Sequence, residues 1–146
     1  MSTSKSFWFW QRWLVGFSAI CIAFSLVLAV GAEAQSALMD RALLSPFFDV
    51  QALPSGVVAH NGFMSRVLAG TMAGWAACML GIVLGPFARR ERWSWLTLIA
   101  ALMIWFCIDT TGSALAKVWF NVFGNCAFLL AAGLPLLATR RDFARG

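Results

Sequence analysis

An all-α, integral membrane four-helix bundle is the architecture to expect from this chain of 146 residues, on three grounds. The first is composition: 61% of the residues are hydrophobic and 12% charged, against roughly 45–50% and 25% in soluble domains, and the mean hydropathy is +0.79. A globular chain this short has too little interior to hide so much apolar surface from water, so lipid must solvate much of it. The second is segmentation: four uncharged runs cover residues 13–32, 67–88, 93–108 and 118–139. They are continuous rather than alternating in polarity, which selects helices over barrel strands. The third is the placement of charge. Lys5, Arg12, Arg89, Arg90, Arg92, Arg140, Arg141 and Arg145 fall on one side of a fourfold crossing, and only Arg41, Arg66 and Lys117 on the other. The positive-inside rule then sets both termini and the 89–92 hairpin in the cytoplasm.

The chain reads as one domain, residues 1–146, with spans near 13–32, 66–86, 93–112 and 118–138 in up-down order and one larger extracytoplasmic loop at 33–65. About 20 helical residues rising 1.5 Å each cross a hydrocarbon core of about 30 Å. The third run is too short by this measure, so its helix must continue past Asp109 or the bilayer must thin beside it.

The first span follows a lead, residues 1–12, whose Phe7-Trp8-Phe9-Trp10 cluster suits the membrane interface. Lys5 and Arg12 before the run and Ala32-Glu33-Ala34 after it imitate a signal peptide with its cleavage site. The apolar stretch exceeds the usual length of about 7–15 residues, and Trp13 opens it like an interface anchor, so a retained span is the favoured reading. Cleavage would leave three spans. In the loop, Ser36 to Leu44 has the character of a brief helix, and Pro54-Ser55-Gly56 that of a turn. Leu38, Leu43, Leu44, Phe47 and Phe48 are too apolar for free solvation, so this segment is expected on the outer membrane surface or capping the bundle.

The second span carries two small-xxx-small motifs. At 100° per residue, Gly70, Gly74, Ala77, Gly81 and Gly85 share one narrow arc, a stripe along which a neighbouring backbone can approach closely. Packing within the bundle, against Gly16, Ala19 and Ala23 of the first span, is preferred to a homodimer seam. Gly85-Pro86 stops the helix, the 89–92 charges anchor the hairpin, and Trp93 and Trp95 fit the interfacial belt. Cys21, Cys78, Cys107 and Cys126 fall one to a span without a C-x-x-C pair, the pattern of small buried hydrophobes rather than metal ligands.

Polar groups gather toward the outer end. Arg66 lies on the arc of the glycine stripe, Asp109 follows the third run, and Lys117, Asn121 and Asn125 recur every four residues on the fourth helix. His60 precedes the second span. A charge inside the bilayer is unfavourable by at least about 2.5–3.5 kcal/mol, so Asp109 needs a partner. Two arrangements satisfy it: a clasp in which Asp109 pairs with Arg66 or Lys117 while the asparagines bond across helices, or a polar pocket for a headgroup, an ion or a proton. Catalytic elements are thin. His60, Asp109 and Ser113 can be drawn as a triad, but no G-x-S-x-G element accompanies them, the glycines make no phosphate loop, and a lone histidine motivates no haem. No metal site, cofactor or nucleic-acid partner is expected, and membrane lipid is the partner the composition demands.

The segments GPFARRERWSW, Asp109, VWFNVFGN and LPLLATRRDF together resemble an uncharacterised family of small four-span bacterial inner-membrane proteins, over about the last 85 residues. The resemblance implies four retained helices and an inner-membrane location, and no activity. Lys117 departs from it by placing a second cation beside Asp109. The expected role is that of a structural or accessory component of the membrane or of a membrane complex, with other membrane proteins or a second copy as partners. The alternative is binding or transport of a lipid, small amphiphile or ion through the outer polar cluster.

Overall fold

A computed structural model describes residues 2–30, 44–47 and 54–144. These form four helices, α1 (Ser2–Val30), α2 (Ser55–Leu84), α3 (Arg92–Leu115) and α4 (Trp119–Thr139), then a 3-10 turn at Arg140–Asp142, with no strand among the described residues. All four helices are long and apolar enough to cross a membrane, the architecture of a multi-pass membrane protein. Their outer surface fits that setting: Ile20, Leu68, Ile104 and Leu137 are each about 60–70% exposed, an apolar coat that water would not tolerate.

Two helices start earlier than expected. Nothing in residues 2–12 breaks a helix, and α1 runs through them, so the Phe7–Trp10 cluster forms early turns of the same helix as the first apolar run. Helix α2 starts at Ser55, with Pro54 as its cap residue and Val57 N–H bonded to the Pro54 carbonyl at 2.9 Å. The expected turn is thus a helix start, where proline's fixed φ and missing N–H are harmless. Residues 55–65 of the expected loop are therefore helical. Helix α3 does continue past Asp109, to Leu115. The brief helix expected at 36–44 and the residues of the loop cap other than Leu44 and Phe47 lie outside the described residues.

Both described hairpins close in the same way. After α3, Lys117 N–H bonds the Ala114 carbonyl (3.1 Å) and Val118 N–H the Ser113 carbonyl (2.9 Å), with Lys117 at φ 61°. After α2, Arg90 N–H bonds the Phe87 carbonyl (2.9 Å) and Glu91 N–H the Pro86 carbonyl (3.0 Å), with Arg90 at φ 60°. This paired pattern is the Schellman motif, in which the left-handed position usually belongs to glycine. At Gly85 a Cβ would stand 3.1 Å from the Gly81 carbonyl oxygen, a tight contact that a side chain could enter only by displacing that carbonyl slightly.

The helices pack in the order α2–α1–α4–α3, with α2 and α3 touching little beyond their hairpin. Along α1 the buried positions are Phe7, Gln11, Leu14, Ser18, Cys21, Ser25 and Leu28, spaced alternately four and three apart in the heptad pattern of a coiled-coil seam. Helix α2 answers with Ala69, Ala76, Met79 and Val83. The serine hydroxyls in the seam donate to carbonyls of their own helix, Ser18 to Leu14 (2.8 Å) and Ser25 to Cys21 (2.7 Å).

The glycine stripe therefore does not make the intramolecular seam. At 100° per residue its arc lies roughly 145° from the buried face of α2, and Gly70, Gly74, Ala77 and Gly81 are exposed. A Cβ at Gly70, Gly74, Gly81 or Gly16 meets no described atom within 4 Å. Ala19 and Ala23, expected to face the stripe, are exposed as well. Residues with seven-residue spacing, Ser18/Ser25 and Ala69/Ala76, occupy the position expected of glycines with four-residue spacing.

Two aromatic layers tie the four helices together. At the arginine-rich end, Phe7, Phe87 and Phe143 meet with centroids 4.7–6.0 Å apart, and Trp95 lies 6.4 Å from Phe143. The Arg90 guanidinium caps the Phe7 ring at 4.5 Å and reaches Asp142 at 4.0 Å. Nearer mid-length, Phe128 meets Phe17, Trp75 and Trp105, one ring from each other helix, at 4.7–5.9 Å. Leu14, Met79, Val83, Leu98, Leu102, Ala132 and Leu136 join the same core.

Candidate functional site

Beyond the Phe128 layer, polarity enters through the α3–α4 hairpin. The short turn at Lys117 folds the two helices back on one another, so residues equidistant from it come opposite. Asp109 and Ser113, one turn apart on α3, thereby meet Asn121 of α4, and Thr110 meets Asn125 one turn further along α4. Asn121 Nδ2 donates to Asp109 Oδ1 at 2.7 Å and to Ser113 Oγ at 2.8 Å. Ser113 Oγ donates to the same Asp109 oxygen at 3.1 Å. Asn125 Nδ2 donates to Thr110 Oγ1 at 3.2 Å, and Asn125 is only 5% exposed.

Three of the six polar candidates thus come together: Asp109, Asn121 and Asn125. The cations do not join them. Arg66 is exposed on α2 and makes no ion pair with Asp109; Lys117 is exposed at the turn, held in the left-handed conformation that closes α3. The expected Asp109–Arg66 or Asp109–Lys117 pair is replaced by neutral donors because the hairpin register puts Ser113 and Asn121 nearest the carboxylate. His60, expected in the loop, is an exposed residue of α2 and shares no bond with Asp109 or Ser113, so no triad forms. Ser113 and Thr110 are the members that sequence reasoning left out of the cluster. Ser113 follows Asp109 by four residues, a helical-face spacing, whereas Thr110 adjoins Asp109 about 100° round the helix and carries no such signal.

The opposite end carries the charged knot. Glu91 accepts from Arg89 Nε at 2.6 Å and from Trp93 Nε1 at 2.7 Å. These bonds, the one from Arg89 foremost, hold its carboxyl below the usual carboxylate range. Arg140 and Arg141 line a shallow groove with Leu137 and Ala138. Cys21 lies in the α1–α2 seam, whereas Cys78, Cys107 and Cys126 are exposed, and all four are free thiols. Among the described residues no group of histidine, cysteine and carboxylate side chains is placed to hold a metal ion.

What the hydrogen-bonded cluster does chemically is join two helices where lipid offers no hydrophobic drive for them to associate. It also presents an acidic, oxygen-rich surface close to the end of a span. Comparisons of the chain with protein-family models, with curated proteins and with solved structures found no match.

Proposed function

We propose that this chain is a small structural or accessory protein of a bacterial inner membrane, in keeping with the family it resembles. In this reading both termini and the 89–92 hairpin lie in the cytoplasm, and the protein stabilises or modulates a larger membrane complex or the bilayer around it. The observation that supports the role is the outward aspect of the α2 stripe: Gly70, Gly74 and Gly81 offer a surface of close approach that no described part of the chain covers. Retention of the first span is supported by Phe7, Leu14 and Ser18, which are fully buried parts of the shared core and seam.

Affinity purification of the full chain from native membranes, in mild detergent, tests the role. The wild type should bring down another membrane protein or a second copy, and Gly74→Leu should lose it while remaining folded. Recovery of the wild type alone, at every mild solubilisation, counts against the reading. A second reading, binding or transport of a lipid, small amphiphile or ion by the outer polar cluster, is favoured by one observation: Asp109 takes its hydrogen bonds from neutral side chains only.

A further inference from the structure

The Asp109 cluster is unbalanced in its donors and acceptors. Both described hydrogen bonds to the carboxylate arrive at Oδ1, from Ser113 and Asn121, and none reaches Oδ2. Asn121 uses Nδ2 for both of its bonds and Asn125 uses Nδ2 for Thr110, so neither amide oxygen accepts a described hydrogen bond. Three acceptors, Asp109 Oδ2 and the two amide oxygens, are left over on one helix pair. Among the described residues no fully enclosed side-chain nitrogen or oxygen lacks a partner, so these spare acceptors are open to an incoming group rather than sealed in the helix pair. The charge is unbalanced too: Asp109 lies within a span and makes no ion pair with a described cation.

We propose that this cluster is a receptor for a primary ammonium group, carried by an ethanolamine-type lipid headgroup or by a free amine. The proposal deepens the second functional reading and rests on it. An ammonium supplies what the cluster lacks, one positive charge and three N–H donors with no acceptor of its own. Bonds of this kind, donated by a cation to a carboxylate and to amide oxygens, are the stronger class. A quaternary choline group has the charge without the donors, and a divalent metal would find only one carboxylate. Depth fits as well. Asp109 is six residues from the end of α3, about 9 Å along the axis, within reach of the headgroup layer. Leu115, Trp119 and Phe120 beside the turn are exposed and provide an apolar wall for acyl chains.

The full chain in nanodiscs of equimolar phosphatidylethanolamine, phosphatidylcholine and phosphatidylglycerol, released in a native mass spectrometer, supplies the test. The wild type should retain the ethanolamine lipid over the choline lipid by about tenfold, the margin of one charged hydrogen bond. Asp109→Asn and Asn121→Leu should each bring the ratio to parity. A second arm needs no variant: ethanolamine hydrochloride added to the wild type in pure phosphatidylcholine nanodiscs, with tetramethylammonium and sodium chlorides as controls, read as thermal stability. A lipid preference without a shift from ethanolamine supports the proposal with lipid as the source; a shift without a lipid preference supports it with a free amine as the source. Neither effect, or a shift from sodium or tetramethylammonium equal to that from ethanolamine, overturns it. So does a lipid preference seen only in Lys117→Gln, which would mean that the chain's own ammonium fills the site. Release of a different species by the wild type, absent from Asn121→Leu, would reject the ammonium and keep the binding reading.

Discussion

Pro135 lies inside α4 and has no N–H to give, so the carbonyl four residues earlier, that of Ala131, loses its helical partner. Trp13 Nε1 of α1 donates to that oxygen at 2.9 Å, and Thr139 Oγ1 closes back on the Pro135 carbonyl at 2.8 Å. In a bilayer an orphaned carbonyl finds no water, so the tryptophan is what makes the proline tolerable. Trp13→Phe keeps the ring but removes the donor, and should lower stability by about 1–3 kcal/mol in an unfolding titration in lipid or micelles. The two left-handed positions give opposite expectations. Lys117→Gly relieves a backbone conformation that disfavours side chains and should stabilise by about 1 kcal/mol. Arg90→Gly relieves the same strain but removes the cap on Phe7 and the contact with Asp142, and should be neutral or destabilising. Glu91 sets a pH dependence whose sign is fixed. Its carboxyl is held low by Arg89 and Trp93, so its contribution is present above the ordinary carboxylate range and is lost as pH falls through the lowered value. Stability of Glu91→Gln, followed against pH, should converge on that of the wild type only in that acidic window.

At the scale of elements, lipid supplies no hydrophobic drive between helices, and close contact of small residues takes its place. The seam of α1 with α2 uses Ser18, Ser25, Ala69 and Ala76, all at most 1% exposed. Ala76→Leu should overpack it and destabilise the monomer by about 1–3 kcal/mol, whereas Gly74→Leu, facing outward, should leave monomer stability unchanged. Measuring the two variants side by side separates internal packing from association. The same contrast shows how far sequence reaches. Four helices were legible because hydropathy and length are local properties of each run. Which small residues meet was not, because a glycine arc marks a surface fit for close approach without saying whether a neighbour in the same chain stands there. The heptad of α1 was visible in principle, but Gln11, Ser18 and Ser25 are polar and interrupt the apolar periodicity by which a seam is recognised. In the polar cluster, Asp109, Asn121 and Asn125 were legible from their spacing. The absence of Lys117 from it follows from the hairpin register, set by a turn closed on that lysine, and the absence of Arg66 from the packing order, in which α2 scarcely touches α3.

On the scale of the whole molecule, the two ends differ in kind. One is closed by aromatic rings from α1, α3, the 85–91 turn and the segment after α4 and fringed with arginine, while the other is drawn together on the α3–α4 side by neutral hydrogen bonds around one carboxylate. Such polarity is what a chain needs in order to be threaded in one direction only, since positively charged hairpins resist translocation. The threading is the claim on which the functional reading depends, and reporter fusions at residue 50, at residue 91 and at the C-terminus measure it most directly, using an enzyme active only outside the cytoplasm and a fluorescent protein that matures only inside it. The account predicts an external signal at residue 50 and a cytoplasmic signal at both other sites. An external signal at residue 91 would contradict it.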